Sequence, residues 1–153
     1  MGDQHWLAAR DKPGLVAAMM KALAGGSRIS FEGKLSCCRL TALPGASGEE
    51  AGALTRQTLF PRQDFVVLPL EPDTLRPILA EIMPSGRLVR EIVHVQIERG
   101  GVLEFGSCDN VHPECVVSGP GVSDDLLAKL LAQGVLRAYE EALDPIGDVT
   151  PDL

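Results

Sequence analysis

The stretch of sequence that decides the fold is EIVHVQIERGGVLEFGSCDNVHPECVV, residues 91–117. Near its start Val93, Val95 and Ile97 alternate with more polar residues, a pattern typical of a half-buried β-strand. A second strand-like run, residues 102–108, follows after a short glycine-containing connection. The pattern therefore predicts a β-hairpin at the centre of the fold.

Two strand registers are compatible with the turn at residues 99–101. A two-residue loop would pair Ile97 with Glu104, which would mix polar and apolar residues on one face. A three-residue loop would pair Ile97 with Leu103, which keeps that face apolar and gives a glycine the positive-φ position. We therefore expect the three-residue loop, with these residues in the core: Val93, Val95, Ile97, Leu103 and Phe105.

The opposite face of the hairpin is then more polar, and a mixed face of this kind often contacts another surface, including a copy of itself. A Gln96→Asp substitution should be tolerated if water covers this face. The sequence predicts a binding surface on this face and in the loop that follows it, formed by His94, Gln96, Glu104, Cys108, Asp109, Asn110 and His112.

The loop after the hairpin also has the residue types of a metal or nucleophile site. Cys108, His112 and Cys115 are spaced Cys-x3-His-x2-Cys, and thiolates and imidazoles are the ligands that zinc prefers. His94, or Cys37 or Cys38, could supply a fourth ligand. A cysteine activated by a histidine is the corresponding enzymatic hypothesis. Neither is favoured, because the spacing does not match the usual zinc knuckles and no catalytic motif frames these residues.

The remaining chain predicts an α+β fold with an antiparallel-rich sheet of about five to seven strands and about three helices packed on one face. Capping residues and apolar periodicity predict helices at residues 12–24, after Asp73, and after Ser123. The segment around residues 44–50 is expected to be a loop, with a short helix as the alternative. The run at residues 65–68 is apolar on both faces and is expected to lie centrally in the sheet. Further strands are predicted at residues 28–31, 35–43, 55–60, 64–70 and 115–117, with a short element at 135–139.

The chain has 153 residues, which fits a single globular domain spanning 1–153, with ragged ends expected at residues 1–10 and 144–153. Its net charge of −7 argues against nucleic-acid and anionic-membrane partners. There is no signal-peptide pattern, so we expect a cytoplasmic protein with cysteines as thiols. The composition is compatible with a GC-rich bacterial genome.

These observations favour a non-catalytic binding or assembly module without a cofactor, whose partner is another protein or a second copy of the chain. The alternative is a small metal-binding or Cys/His-dependent enzyme that uses His94, Cys108, His112 and Cys115. Whether the chain is an enzyme stays open at this stage.

Overall fold

The computed structural model describes residues 4–58, 60–84, 86–107 and 116–141, and there it forms one seven-stranded antiparallel sheet with three α-helices. The strand order is β3-β2-β4-β5-β6-β1-β7. The α+β prediction is confirmed. In chain order the elements are β1 (His5–Ala9), α1 (Lys12–Leu23), β2 (Ser27–Gly33), two 3₁₀ turns (Leu35–Cys37 and Leu40–Ala42), β3 (Asp64–Leu70), α2 (Pro72–Ile82), a π-helical turn (Arg87–Glu91), β4 (Ile92–Arg99), β5 (Val102–Ser107), β6 (Val117–Ser118), α3 (Asp124–Ala132) and β7 (Leu136–Glu141).

Local capping explains where the helices begin. The Asp11 side chain accepts a hydrogen bond from the Gly14 N–H at 3.0 Å at the start of α1. Ser123 does the same for the Leu126 N–H at 3.1 Å at the start of α3. A side-chain acceptor of this kind satisfies one of the amide groups that a helix leaves unpaired at its N-terminus. The N-cap of α2 is Glu71 and not Asp73, which lies within the first turn.

The three helices pack on one face of the sheet, which we call the core face. Buried residues from each helix, such as Met19, Ile78 and Leu127, form one continuous cluster with Ile29 and Val95 of the central strands. We call the face of the sheet opposite the helices the second face. Burying apolar side chains between helices and sheet supplies the main stabilisation of such a two-layer fold.

The hairpin turn is tighter than the sequence pattern predicts. Arg99 pairs with Val102, so the loop consists of Gly100 and Gly101 alone. Their φ angles are 62° and 82°, and a two-residue type I′ turn requires positive φ at both central positions. The predicted three-residue loop is therefore wrong.

A β-bulge restores the apolar face that the three-residue loop was expected to provide. The register shifts at Glu104, so Ile97 lies opposite Phe105. The extra residue of a bulge re-aims the side chains that follow it. Three of the five predicted core residues are fully buried, whereas Val93 and Leu103 are only half-buried.

Three segments differ from the strands predicted for them. Their structure depends on contacts between residues that are distant in the sequence, which a local pattern does not contain. Residues 35–43 form the two 3₁₀ turns, so Cys37 and Cys38 do not alternate along a strand. Residues 55–58 lie over the second face of the sheet instead of pairing within it. The apolar strand β3 is an edge strand and not a central one. Its second face is buried because Leu54 packs against Phe65 and Val67.

The described part of the N-terminal segment, from residue 4, is more ordered than the composition predicts. Strand β1 falls within residues 1–10 and pairs with both β6 and β7. The predicted strand at residues 115–117 corresponds to β6, which is shifted toward Ser118. The predicted ragged end at 144–153 lies outside the described residues.

We expect Val95→Asp and Phe105→Asp each to unfold the protein. Both side chains are at most 1% exposed, and burying an unpaired carboxylate costs several kcal/mol. Val102→Asp is the matched control on the same hairpin, since Val102 is 46% exposed. Urea denaturation followed by circular dichroism measures all three, and a stable Val95→Asp variant would show that the core face has been misassigned.

Candidate functional site

The second face of the sheet carries a block of polar side chains on its two neighbouring central strands. Alternation along β2 and β4 places Glu32 beside His94, Ser30 beside Gln96, and Arg28 beside Glu98. Three of the six, Glu32, Gln96 and Glu98, present a carboxylate or amide oxygen that can accept hydrogen bonds. The sequence predicts His94 and Gln96 on one face of the hairpin, and the structure places both on this face and buries them.

A segment of the same chain, residues 51–58, covers this polar block and is called the covering segment. Every second residue from Ala53 to Gln57 donates its backbone N–H to a side-chain oxygen on the sheet. Ala53 donates to Glu98 at 2.9 Å, Thr55 to Gln96 at 3.2 Å, and Gln57 to Glu32 at 2.7 Å. The sheet side chains thus take the place that carbonyl oxygens hold in a β-ladder, which satisfies amides that would otherwise be buried without a partner.

Both buried carboxylates of the block have several partners. Glu32 is 1% exposed and accepts a second N–H, from Thr58, at 3.2 Å. Glu98 also accepts from the Arg28 guanidinium, with Nη2 at 2.6 Å and Nε at 3.0 Å. A Cβ at Gly52 would overlap the Glu98 carboxylate. The covering segment therefore approaches the sheet closely at a residue without a side chain, which is a common use of glycine.

His94 lies at one end of the covered block. Its Nε2 is 2.8 Å from Thr58 Oγ1 of the covering segment, and the residue is 5% exposed. A histidine that meets substrate needs an open approach to one ring nitrogen. Here the covering segment occupies the Nε2 side, so the geometry supports a role in attaching that segment.

Glu104, which the sequence predicts on the same polar face as His94 and Gln96, has a different role. Its carboxylate Oε1 accepts the Gly121 N–H at 2.6 Å, and its carbonyl accepts the Gly119 N–H at 2.8 Å. The residue is 6% exposed. Glu104 therefore fixes the turn between β6 and α3, apart from the block formed by His94 and Gln96.

The other predicted site residues, Cys108, Asp109, Asn110, His112 and Cys115, lie outside the described residues. The zinc and nucleophile hypotheses for them stay predictions. In the part of the chain that the structure describes, no three His, Cys, Asp or Glu side chains are grouped as a metal would need. Cys38 is half-buried, and its Sγ donates to the Leu35 carbonyl oxygen at 3.5 Å.

The outer strands contain features that the sequence pattern did not assign. Trp6 of β1 is 45% exposed on the second face, beyond the covering segment. Strand β7 forms the outer edge beside it, with Arg137, Ala138, Glu140 and Glu141 exposed. The sequence predicts only a short element at residues 135–139, and the run from Leu136 to Glu141 does not alternate regularly, because the pairing with β1 shifts at Arg137.

Comparison with known proteins leaves the function to be argued from the structure. No family profile matches the chain, and neither a curated protein nor a solved structure shows significant similarity to it. No helix in the described ranges has the length and apolar character needed to cross a membrane.

Replacing Glu32 by Ala should loosen the covering segment. Two backbone N–H groups would lose their acceptor, and each such loss costs about 1–3 kcal/mol. We expect lower stability in urea and faster hydrogen exchange at the amides of residues 57 and 58. Glu32→Gln, which keeps one acceptor oxygen, should fall between the wild type and Glu32→Ala.

The matched control is Glu49→Ala, an exposed carboxylate that accepts no hydrogen bond within the described residues. It should leave both stability and exchange unchanged. If Glu32→Ala matched this control, the carboxylate would not be what holds the covering segment on the sheet.

Proposed function

We propose that the protein is a non-catalytic binding and assembly module that pairs with a second copy of itself through the open edge of the sheet. The observation that carries the proposal is strand β7, an edge strand whose charges are complementary to those of an antiparallel copy. Backbone pairing at an exposed edge is a general mode of protein association.

The two edges of the sheet differ, and the difference favours β7 as the contact. The outer edge of β3 is paired with another part of the same chain. The Ser47 N–H donates to the Val67 carbonyl oxygen at 3.0 Å, and the Val67 N–H donates to the Ser47 carbonyl oxygen at 2.7 Å. Strand β7 pairs with β1 on one side, and no described strand lies on its other side. An edge left in this condition is available as a template for another strand.

The direction of the backbone N–H and C=O groups shows which residues of β7 can pair with another strand. The Leu7 N–H donates to Val116 O on the β6 side at 3.0 Å. Backbone groups of successive strand residues point to opposite sides in the sheet plane, so those of Trp6 point to β7. Its partner Glu140 therefore points back to β1, and the N–H and C=O of Tyr139 point outward.

A two-fold axis that passes beside Tyr139 would bring the outward N–H and C=O groups of the two copies together. The Tyr139 residues of the two copies would exchange N–H to C=O hydrogen bonds, the pattern of a hydrogen-bonded antiparallel pair. In that register Glu141 of one copy lies across from Arg137 of the other, twice by symmetry, and Arg137 is the residue at which the pairing of β7 with β1 shifts. Opposite charges across a strand pair are favourable, whereas like charges disfavour pairing.

Apolar surface beside the edge supports the same contact. Ala138 is exposed on the second face, and Trp6, on the neighbouring strand, extends this surface inward. Tryptophan is over-represented among the residues that contribute most to protein interfaces. Edge hydrogen bonds contribute only about 1 kcal/mol each, so we expect a concentration-dependent dimer.

The alternative is a Cys/His-dependent or metal-binding activity that involves Cys108, His112 and Cys115, and it stays a prediction from the sequence. Metal analysis of protein purified without chelators discriminates between the two functions. Zinc bound in a one-to-one ratio, and lost on His112→Ala, would favour the alternative.

The dimer is tested by reversing the charges of β7. Arg137→Glu should weaken self-association, because each copy would then present only acidic residues along the seam. The double variant Arg137→Glu/Glu141→Arg should restore it, since the opposite-charge pairs re-form with their signs exchanged. Light scattering coupled to size exclusion, over a range of protein concentrations, measures all of these species.

Arg76→Glu is the matched control, since it makes the same change at an exposed position of α2. It should associate like the wild type. Trp6 is the single tryptophan in the chain, so its fluorescence emission should also respond to concentration. A wild-type monomer at every concentration would exclude the dimer, and failure of the double variant to recover would exclude this register.

A further inference from the structure

A cavity of about 520 Å³ lies between the 3₁₀ turns and the start of β3, separate from the β7 edge. Two arginines, Arg56 and Arg62, line it together with the hydroxyl-bearing residues Ser36 and Thr41. Cavities of this size commonly hold small molecules. Two guanidinium groups at one cavity contrast with the net charge of −7 of the whole chain.

The Arg56 guanidinium is held in place before any ligand arrives. Its Nη1 donates to the Gln63 carbonyl oxygen at 2.6 Å, and its Cζ lies 5.0 Å from the centre of the Phe65 ring. Cation–π contact and a backbone acceptor together restrict the side chain. The described residues provide no partner for its Nε and Nη2, so these donors are oriented and unused. Pre-orientation of this kind reduces the entropy cost of binding.

The remaining charges at the cavity leave it positive. Arg62 is exposed and forms no ion pair with the described residues. Asp64 also lines the cavity, but its Oδ2 accepts the Leu35 N–H at 3.0 Å. Two arginines therefore line the cavity together with one carboxylate that is already hydrogen-bonded. The local balance favours an anion over a cation.

We infer that this cavity binds a phosphate group, either as free phosphate or as the phosphate of a small ester. Guanidinium groups form short, paired hydrogen bonds with phosphate oxygens. Two arginines and two hydroxyl groups offer more donors than a carboxylate can accept and match the oxygens of a phosphate. The volume exceeds that of a bare phosphate, which leaves space for the rest of an ester beside Leu35 and Phe65.

Calorimetric titration of the full chain tests the site, with inorganic phosphate and phenyl phosphate as the two probes and sodium chloride holding the ionic strength constant. We expect saturable binding of at least one probe. Tighter binding of phenyl phosphate identifies an ester as the ligand class, and equal binding identifies free phosphate. Amide chemical shifts of residues 35–41 and 62–65 should move with the same saturation curve.

Arg62→Ala should weaken binding at least about tenfold, because a charge-assisted hydrogen bond to phosphate is lost. Arg62 is exposed, so this variant should keep the wild-type fold. Arg56→Lys keeps the charge but loses the planar fork, and it should also weaken binding. Arg76→Ala, away from the cavity, should bind like the wild type. Absence of saturable binding to either probe, or equal affinity of Arg62→Ala and Arg76→Ala, would overturn the inference.

Discussion

The hydrogen bonds between sheet side chains and the covering segment are the interaction on which the architecture of the second face depends. Glu32, Gln96 and Glu98 would be costly to bury alone, because an unpaired buried carboxylate or amide loses its hydration without compensation. The backbone of residues 51–58 would be equally costly without acceptors. The side-chain oxygens of the block accept hydrogen bonds from the backbone N–H groups of the covering segment. The polar block and the covering segment are therefore stable only together. Removing one partner leaves buried groups unpaired on both sides of the contact.

This mutual arrangement also determines which surfaces are left for other molecules. The connection between β2 and β3 closes the β3 edge through Ser47 and covers the second face as far as β4. Its described residues do not reach β1 and β7, and Trp6 of β1 is exposed. The two 3₁₀ turns at the start of the same connection, with Arg56 and Arg62 nearer its end, line the arginine cavity. Within the residues that the structure describes, one long segment thus accounts for the covered part of the second face.

Local patterns in the sequence predict those parts of the fold that local physics decides. Helix caps at Asp11 and Ser123 and the alternation along β4 need only neighbouring residues to be recognised. The bulge at Glu104 was not predictable in this way, because it reconciles a two-residue turn with a core face that other strands impose. The apolar run of β3 indicated burial on both faces correctly. The edge position of β3 could not be predicted from this run. Its second face is buried by Leu54, which belongs to a segment outside the sheet.

The distribution of charge shows why the net charge of the chain is a weak guide to a candidate binding site. Glu32, Glu98 and Glu104 are almost completely buried and engaged with backbone N–H groups, so they contribute little to the surface that a partner meets. Two arginines that look sparse in the sequence, Arg56 and Arg62, line the same cavity in the fold. Electrostatic recognition depends on the local arrangement of charges and not only on their sum. An acidic chain can therefore present a positive cavity, and only the three-dimensional arrangement of its acids and arginines reveals it.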